Sequence, residues 1–233
     1  MIIKTSEPYR LRLGIDVGGT FTDFAVQGAG SELLTFKALS TPKDPSLAVI
    51  QGLMELAKHF DQSLESFLGR VEVIVHGTTV TTNAVLTGQV ARTALLTTRG
   101  FRDALQMRRG VREVMYDNRY QPPAPIVPRE HRLPISERID ATGAILTPIA
   151  LTDVEDAAAI LSRDGIEAVA ISFMHAHRDA QHELAAATVI ASRMPGVYLS
   201  VSSQVLPQIR FYERTSTTVL NAAVGPIFAR YAS

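Results

Sequence analysis

The chain has no cysteine. Disulfides, thiolate metal sites and a cysteine nucleophile are therefore excluded. It also has no excess of either charge, with 23 lysines and arginines against 23 aspartates and glutamates. Net charge gives no electrostatic reason to expect a nucleic-acid partner. No run of about 18 apolar residues exists to span a bilayer. The opening Met1-Ile-Ile-Lys-Thr-Ser-Glu lacks the apolar core of a signal peptide. The expectation is a cytoplasmic protein without membrane or nucleic-acid contacts. Three familiar signatures are missing as well: the Gly-x-x-x-x-Gly-Lys-Ser/Thr phosphate loop, Gly-x-Gly-x-x-Gly after a strand, and the Gly-x-Ser-x-Gly elbow. Any phosphate site must be built another way.

What is present is Leu13-Gly-Ile-Asp-Val-Gly-Gly-Thr-Phe-Thr-Asp23. Leu11, Leu13, Ile15 and Val17 alternate as in a strand with one buried face, and a second strand resumes at Thr22. Two adjacent glycines allow positive φ and let backbone N–H groups crowd close to a ligand. Asp16 stands where a carboxylate can hold hydrated Mg²⁺, and Thr20 adds a hydroxyl. Such a turn can cradle phosphate without a helix N-terminus. The Gly-Gly pair alone reads equally well as plain hairpin chemistry.

The elements expected after it follow a simple order. Strands Leu11–Val17, Thr22–Gln27 and Leu33–Lys37 precede a helix capped by Asp44 with Pro45 first in line. Ser63–Leu68 is a short helix. Val71–Val75 is an apolar run suited to a strand buried on both faces. His76-Gly-Thr-Thr-Val-Thr-Thr-Asn83 leads into a helix ended by Gly88, and Thr93–Thr97 is another buried strand. The β-β-β-α-β-α-β-α order fits a mixed sheet with helices on both faces, Val71–Val75 lying beside the first strand. The Pro-rich Gln121–Pro128 segment suggests a boundary, giving a lobe over 1–120 and a second αβ unit over 121–233. In the latter, Thr152-Asp-Val-Glu155 reads as a capping box, Ala168–Phe173 and Val197–Ser202 as strands, and Asp179 as a helix cap. The last helix, about Ser216 to Tyr231, should kink at Gly225-Pro226. It reaches almost to the final residue, so the expectation is a chain cut from a longer protein.

Several groups could carry chemistry. His76, Thr78, Thr79 and Asn83 offer hydroxyl, amide and imidazole groups beside the expected ligand edge, although threonines also serve as ordinary helix-entry caps. His76 is either a general acid/base or a buried histidine bonded to backbone. Arg99 and Arg102 could meet an anion but read better as solvated or capping residues. Arg108, Arg109 and Arg112 read as a solvated face. His175 and His177 have a spacing that invites a metal, with no carboxylate completing an obvious set. Arg210-Phe-Tyr-Glu-Arg-Thr-Ser216 is charged and aromatic, as at an interface.

Four strings carry a family resemblance: Gly14–Asp23, Val75–Ala84, Leu96–Asp103 and Ser203–Ala222. Together they resemble the N-terminal region of the hydantoinase A/5-oxoprolinase family. The resemblance implies a ribonuclease-H-like sheet of the kind found in actin, sugar kinases and heat-shock ATPases. It implies ATP-dependent opening of a cyclic amide, by phosphorylation of the lactam oxygen and attack of water on the ring carbon. By the same resemblance Asp16 would organise Mg²⁺, and Gly18, Gly19 and Thr20 would contact phosphate. Thr22 and Asp23 would support the turn, and His76, Thr78, Thr79 and Asn83 would border the reaction centre. The partner would be a hydantoinase B-type subunit or a missing C-terminal domain, which carries a second glycine turn and the adenosine site. One lobe alone should bind ATP weakly and turn nothing over. Alternatives are a subunit of an ATP-dependent ketone carboxylase, a sugar-kinase-like enzyme, and a non-catalytic interaction subunit or fragment.

Overall fold

The computed structural model describes residues 10–28, 32–41 and 44–232. It divides into two compact units, Met1–Gln89 with Phe228–Ser233, and Val90–Ile227. The expected boundary near residue 120 thus falls inside the second unit. The Gln121–Pro128 segment is irregular, as its prolines require, but it connects parts of one unit. Among the described residues no helix is long and apolar enough to cross a membrane.

The first unit is built on a sheet of four strands. Strands β1 (Leu11–Val17), β2 (Phe21–Gly28) and β3 (Leu34–Leu39) form an antiparallel meander. Strand β4 (Val71–Thr78) lies parallel to β1 on its other side, giving the order β3-β2-β1-β4. Period-two alternation sends Leu11, Leu13, Ile15 and Val17 with Thr22, Phe24 and Val26 to one buried face. Helix α1 (Pro45–His59) covers that face. The Asp44 carboxylate accepts from Ser46 N–H, and Pro45 takes the first helical position. Leu56 and Ala57 of α1 and Phe67 of α2 (Leu64–Gly69) complete the core. The approach of α1 to the sheet is close, since a Cβ on Gly52 would fall 2.1 Å from the Phe24 ring. Helix α3 (Val80–Leu86) follows β4.

Strand β4 is largely exposed along its length, and here the expectation for Val71–Val75 fails. Val73, Ile74 and Val75 are 43%, 53% and 66% exposed. Among the described residues β4 is an edge strand with β1 its one strand neighbour, and α1 packs on β1 to β3. An apolar run records compatibility with burial and says nothing of whether cover is present.

The second unit holds a fully parallel sheet of β5 (Thr93–Thr98), β6 (Arg132–Ile135), β9 (Ala168–Ser172) and β10 (Tyr198–Val201), in the order β10-β9-β5-β6. The order of elements assigns β5 to the first sheet. It pairs instead with β6 and β9, which follow it by tens of residues. Parallel strands buried on both faces read as continuous apolar runs, and every residue of β5 and β9 is buried. Leu105 of the short helix α4 (Ala104–Met107) joins the core on one face, where Val219 and Ala222 of the long C-terminal helix (Phe211–Ala232) meet Leu95, Ala168 and Ala170. That long helix runs through Pro226 as one element. Helices α5 (Leu151–Arg163) and α6 (Gln181–Arg193) pack Val154, Ala157, Leu161, Ala186 and Ile190 on the other face. The hairpin β7 (Arg138–Ile139) and β8 (Ile145–Thr147) closes around Asp140, whose carboxylate accepts from Thr142 N–H and Ala144 N–H.

The expected capping box before α5 does not form. The helix starts at Leu151, ahead of Thr152. The Asp153 carboxylate is taken by Ser136 N–H at 2.9 Å and by Arg99 at 3.1 Å. Before α6 the cap position falls on Ala180 and not on the expected Asp179, whose carboxylate accepts from Gln181 N–H at 2.9 Å from one residue further out.

Candidate phosphate-binding turn of the first unit

Val17, Gly18, Gly19 and Thr20 carry the chain from β1 into β2. Gly18 N–H donates to Phe21 C=O at 3.0 Å. Neither Gly18 nor Gly19 has positive φ, so these glycines answer to space rather than to dihedral freedom. A Cβ on Gly18 would lie 2.9 Å from the Phe21 carbonyl oxygen. A Cβ on Gly19 would lie 2.9 Å from Asn83 Nδ2. The turn and the threonine-rich segment after β4 are therefore neighbours. Thr79 N–H donates to Val17 C=O at 3.1 Å, and Asn83 Nδ2 donates to Thr79 Oγ1 at 3.2 Å. Asn83 stands on α3, just beyond its first turn. Gly19 and Thr20 are exposed, so the turn is open to solvent.

Ser40 braces this arrangement and was missed by sequence reasoning. Its hydroxyl donates to Gly18 C=O at 2.8 Å, its N–H donates to Thr20 C=O at 2.9 Å, and Thr22 Oγ1 pairs with its Oγ at 3.0 Å. The available signal was the register, since β3 ends at Leu39 opposite Phe21.

Across the open face runs a row of registered residues: Lys37 on β3, Asp23 on β2, Asp16 on β1 and Gly77 on β4. Registered neighbours share a face. Asp23 is committed to Lys37 at 3.0 Å. Asp16 is exposed and has no ion-pair or hydrogen-bond partner among the described residues. A Cβ on Gly77 would come 3.4 Å from Asp16 Oδ1, so that glycine leaves room around the carboxylate.

The structure thus brings together Asp16, Gly18, Gly19, Thr20, Thr79 and Asn83. Others stand apart. Thr22 is fully buried on the core face. Thr78 Oγ1 donates to Val17 C=O and accepts from Val80 N–H, and it also meets the Tyr231 phenol. His76 is registered with the buried Ile15 and so belongs to the face opposite Asp16. There its ring stacks on Tyr231 at 5.6 Å and its Nε2 hydrogen-bonds the Tyr231 hydroxyl. Burial holds the Tyr231 phenol above its ordinary range. Parity along β4 was the overlooked signal, since one residue's shift changes the face.

No group of three metal-ligating side chains occurs among the described residues. A dedicated all-protein cage for a cation is therefore absent there. Mg²⁺ characteristically keeps several waters and binds through one or two carboxylates plus phosphate oxygens. A single free carboxylate beside an open glycine turn fits that mode.

Several known proteins are similar to this chain over nearly all of its length. The α subunit of caprolactamase from Pseudomonas jessenii is 37% identical over 222 residues, which cover 94% of this chain and 32% of that subunit. The crystal structure of ATP-dependent caprolactamase from the same organism superposes with a TM-score of 0.86 over the same shares. The γ subunit of acetophenone carboxylase from Aromatoleum aromaticum is 30% identical, over 90% of this chain and 30% of its own. Nucleotide-free acetone carboxylase superposes with a TM-score of 0.84 at 25% identity, over 94% of this chain and 33% of that one. The chain thus spans about a third of the length of these relatives. Residues 12–194 match the model of the hydantoinase/oxoprolinase N-terminal region, and the chain belongs to that family.

Proposed function

We propose that this chain is the phosphate-binding part of an ATP-dependent enzyme that opens cyclic amides. One observation carries the reading: the unpartnered Asp16 carboxylate lies beside an exposed Gly18-Gly19-Thr20 turn that abuts Asn83. In this reading the turn amides and the Thr20 hydroxyl receive the polyphosphate, and Asp16 holds hydrated Mg²⁺. The cation supplies charge neutralisation for phosphoryl transfer. Thr79 and Asn83 wall the same opening, while Thr22, Thr78 and Asp23 brace the strands behind it. His76 holds Tyr231 on the other face of the sheet.

The γ-phosphoryl group would pass to the amide oxygen. Water would then add to the ring carbon, the C–N bond would open and phosphate would leave. The similarity to an ATP-dependent caprolactamase supports this reading. The strand order β3-β2-β1-β4, with three antiparallel strands and a parallel fourth, supports a ribonuclease-H-like first unit. The remaining nucleotide contacts would come from further polypeptide or a hydantoinase B-type subunit, in a cytoplasmic complex. A ketone carboxylase subunit is the second reading, favoured by the nearly equal superposition on acetone carboxylase.

The test is an assay of the full-length protein, with its partner subunit, on a panel of lactams, hydantoins and ketones with ATP. Lactam opening coupled to ADP release supports the first reading, and bicarbonate-dependent ketone consumption supports the second. Asp16→Asn should cost at least about a hundredfold in turnover, the scale of losing one charge-stabilising group. Unchanged turnover in that variant refutes the assignment.

A further inference from the structure

The second unit contains a cationic cluster that the proposed nucleotide chemistry does not use. The loop after β9 carries His175 and His177, with ring centroids 6.0 Å apart. His175 has φ of 58°, a left-handed conformation uncommon outside glycine. Strain of this kind persists where surrounding structure enforces it, and it concentrates at functional sites.

Behind the loop lies Arg214, fully buried on the C-terminal helix. Its guanidinium donates to Phe173 C=O at 2.6 Å, Gln208 C=O at 2.7 Å and Ser202 Oγ at 3.0 Å. Its remaining reach is to His177 Nδ1 at 3.3 Å. A guanidinium can only donate. His177 Nδ1 must therefore accept, which leaves the ring proton on Nε2. Ser202 links Arg214 to the buried Glu183, whose oxygens also take Phe173 N–H and Ser203 N–H. The acid behind the cluster is thereby fully engaged.

Arg138 and two aromatic rings stand beside the same cluster. Arg138 stacks on Phe101 at 4.9 Å, Phe101 meets Phe211 edge-on at 5.6 Å, and Arg214 lies over Phe211 at 5.5 Å. The hairpin bearing Arg138 also abuts the histidine loop, since a Cβ on Gly143 would lie 3.6 Å from Arg178 Cβ. Among the described residues neither Arg138 nor Arg178 forms an ion pair, whereas the charge of Arg214 is met by Glu183 through Ser202. The acid acting on His175 is Asp140, and its Oδ1 already accepts three hydrogen bonds from Thr142 and Ala144. Burial first, then the neighbouring arginines, holds both imidazoles below their ordinary range. They are neutral at pH 7 and available as N–H donors.

We propose that the His175–His177 loop, with Arg138 before it and Arg214 behind it, binds a small oxyanion, either a carboxylate or a phosphate. His177 Nε2–H donates to it, and Arg138 supplies the facing charge. This site is independent of the Asp16 turn.

The experiment is a titration of the full chain with inorganic phosphate and, separately, with acetate, read by proton–nitrogen correlation of the six histidine rings. The proposal expects saturable movement of the His175 and His177 signals. Movement with phosphate alone identifies a phosphoryl ligand, and movement with acetate identifies a carboxylate. Arg138→Gln should weaken the response at least about tenfold, the loss of one charge-assisted contact. His175→Asn, which tolerates the left-handed backbone, should weaken it with the fold retained. Asp16→Asn should leave it unchanged, which separates this site from the nucleotide reading. Uniform movement of all six rings, no movement with either anion, loss of the response in Asp16→Asn, or a His177 proton on Nδ1 overturns the proposal.

Discussion

Gly19 and Asn83 stand so close that a Cβ on the glycine would meet the asparagine Nδ2 at 2.9 Å. Sixty-four positions separate them in the chain, yet they close one side of the candidate site. The contact decides why glycine is needed there, because the φ of Gly19 is one that any residue can adopt.

Gly19→Ala should therefore act on the site more than on the fold. The Asn83 amide can swing away at a cost of about 1 kcal/mol, and its hydrogen bond to Thr79 Oγ1 is lost. Nucleotide affinity should drop. Adding Asn83→Ala should restore part of it, and a double-mutant cycle on nucleotide binding measures the coupling. Additive effects would show that the two residues do not share a site.

Gly52→Ala should act on the fold. The added methyl would lie 2.1 Å from the ring of Phe24, which is 1% exposed and cannot retreat. Overpacking of this kind costs about 1–3 kcal/mol. Urea unfolding should show a lower midpoint with an unchanged slope. Phe24→Leu in the same chain should recover part of the loss.

Asp153 should contribute to the acid limb of stability. Its hydrogen bonds from Ser136, then the Arg99 guanidinium, hold its carboxyl below the usual aspartate value. A depressed native pKa means that the unfolded chain binds the proton first. The contribution is complete above the unfolded value of about 3.9 and is lost as pH falls through the lower native value. Asp153→Asn should be less stable at pH 7 and should lose less on acidification. Thermal melts across that range check both.

What the sequence made legible was local. The Asp44 cap, the β1–β2 turn and the Asp179 contact depend on residues within a few positions of one another. The parallel placement of β4 beside β1 followed from the handedness of crossovers. What escaped depended on distant partners. β5 joined the second sheet because β6 and β9 supply its neighbours. The Thr152–Glu155 capping box failed, and Asp153 inside it bonds Ser136, 17 positions upstream. His76 was assigned to the reaction centre because it shares a motif with Thr79 and Asn83, although alternation sends it to the face opposite Asp16. Arg214 lay in a segment read as an interface, and its burial with Glu183 escaped because pairing through Ser202 leaves no local mark.

The central claim is that the turn after β1 receives a polyphosphate through its amides and the Asp16 carboxylate. The most direct measurement is backbone amide chemical shifts of the chain as Mg-ATP is added, in the native sequence and in Asp16→Asn. The account predicts movement at Gly18, Gly19, Thr20 and Asn83, lost in the variant. Stationary signals at those four residues while others move, or the same pattern in both proteins, would contradict it.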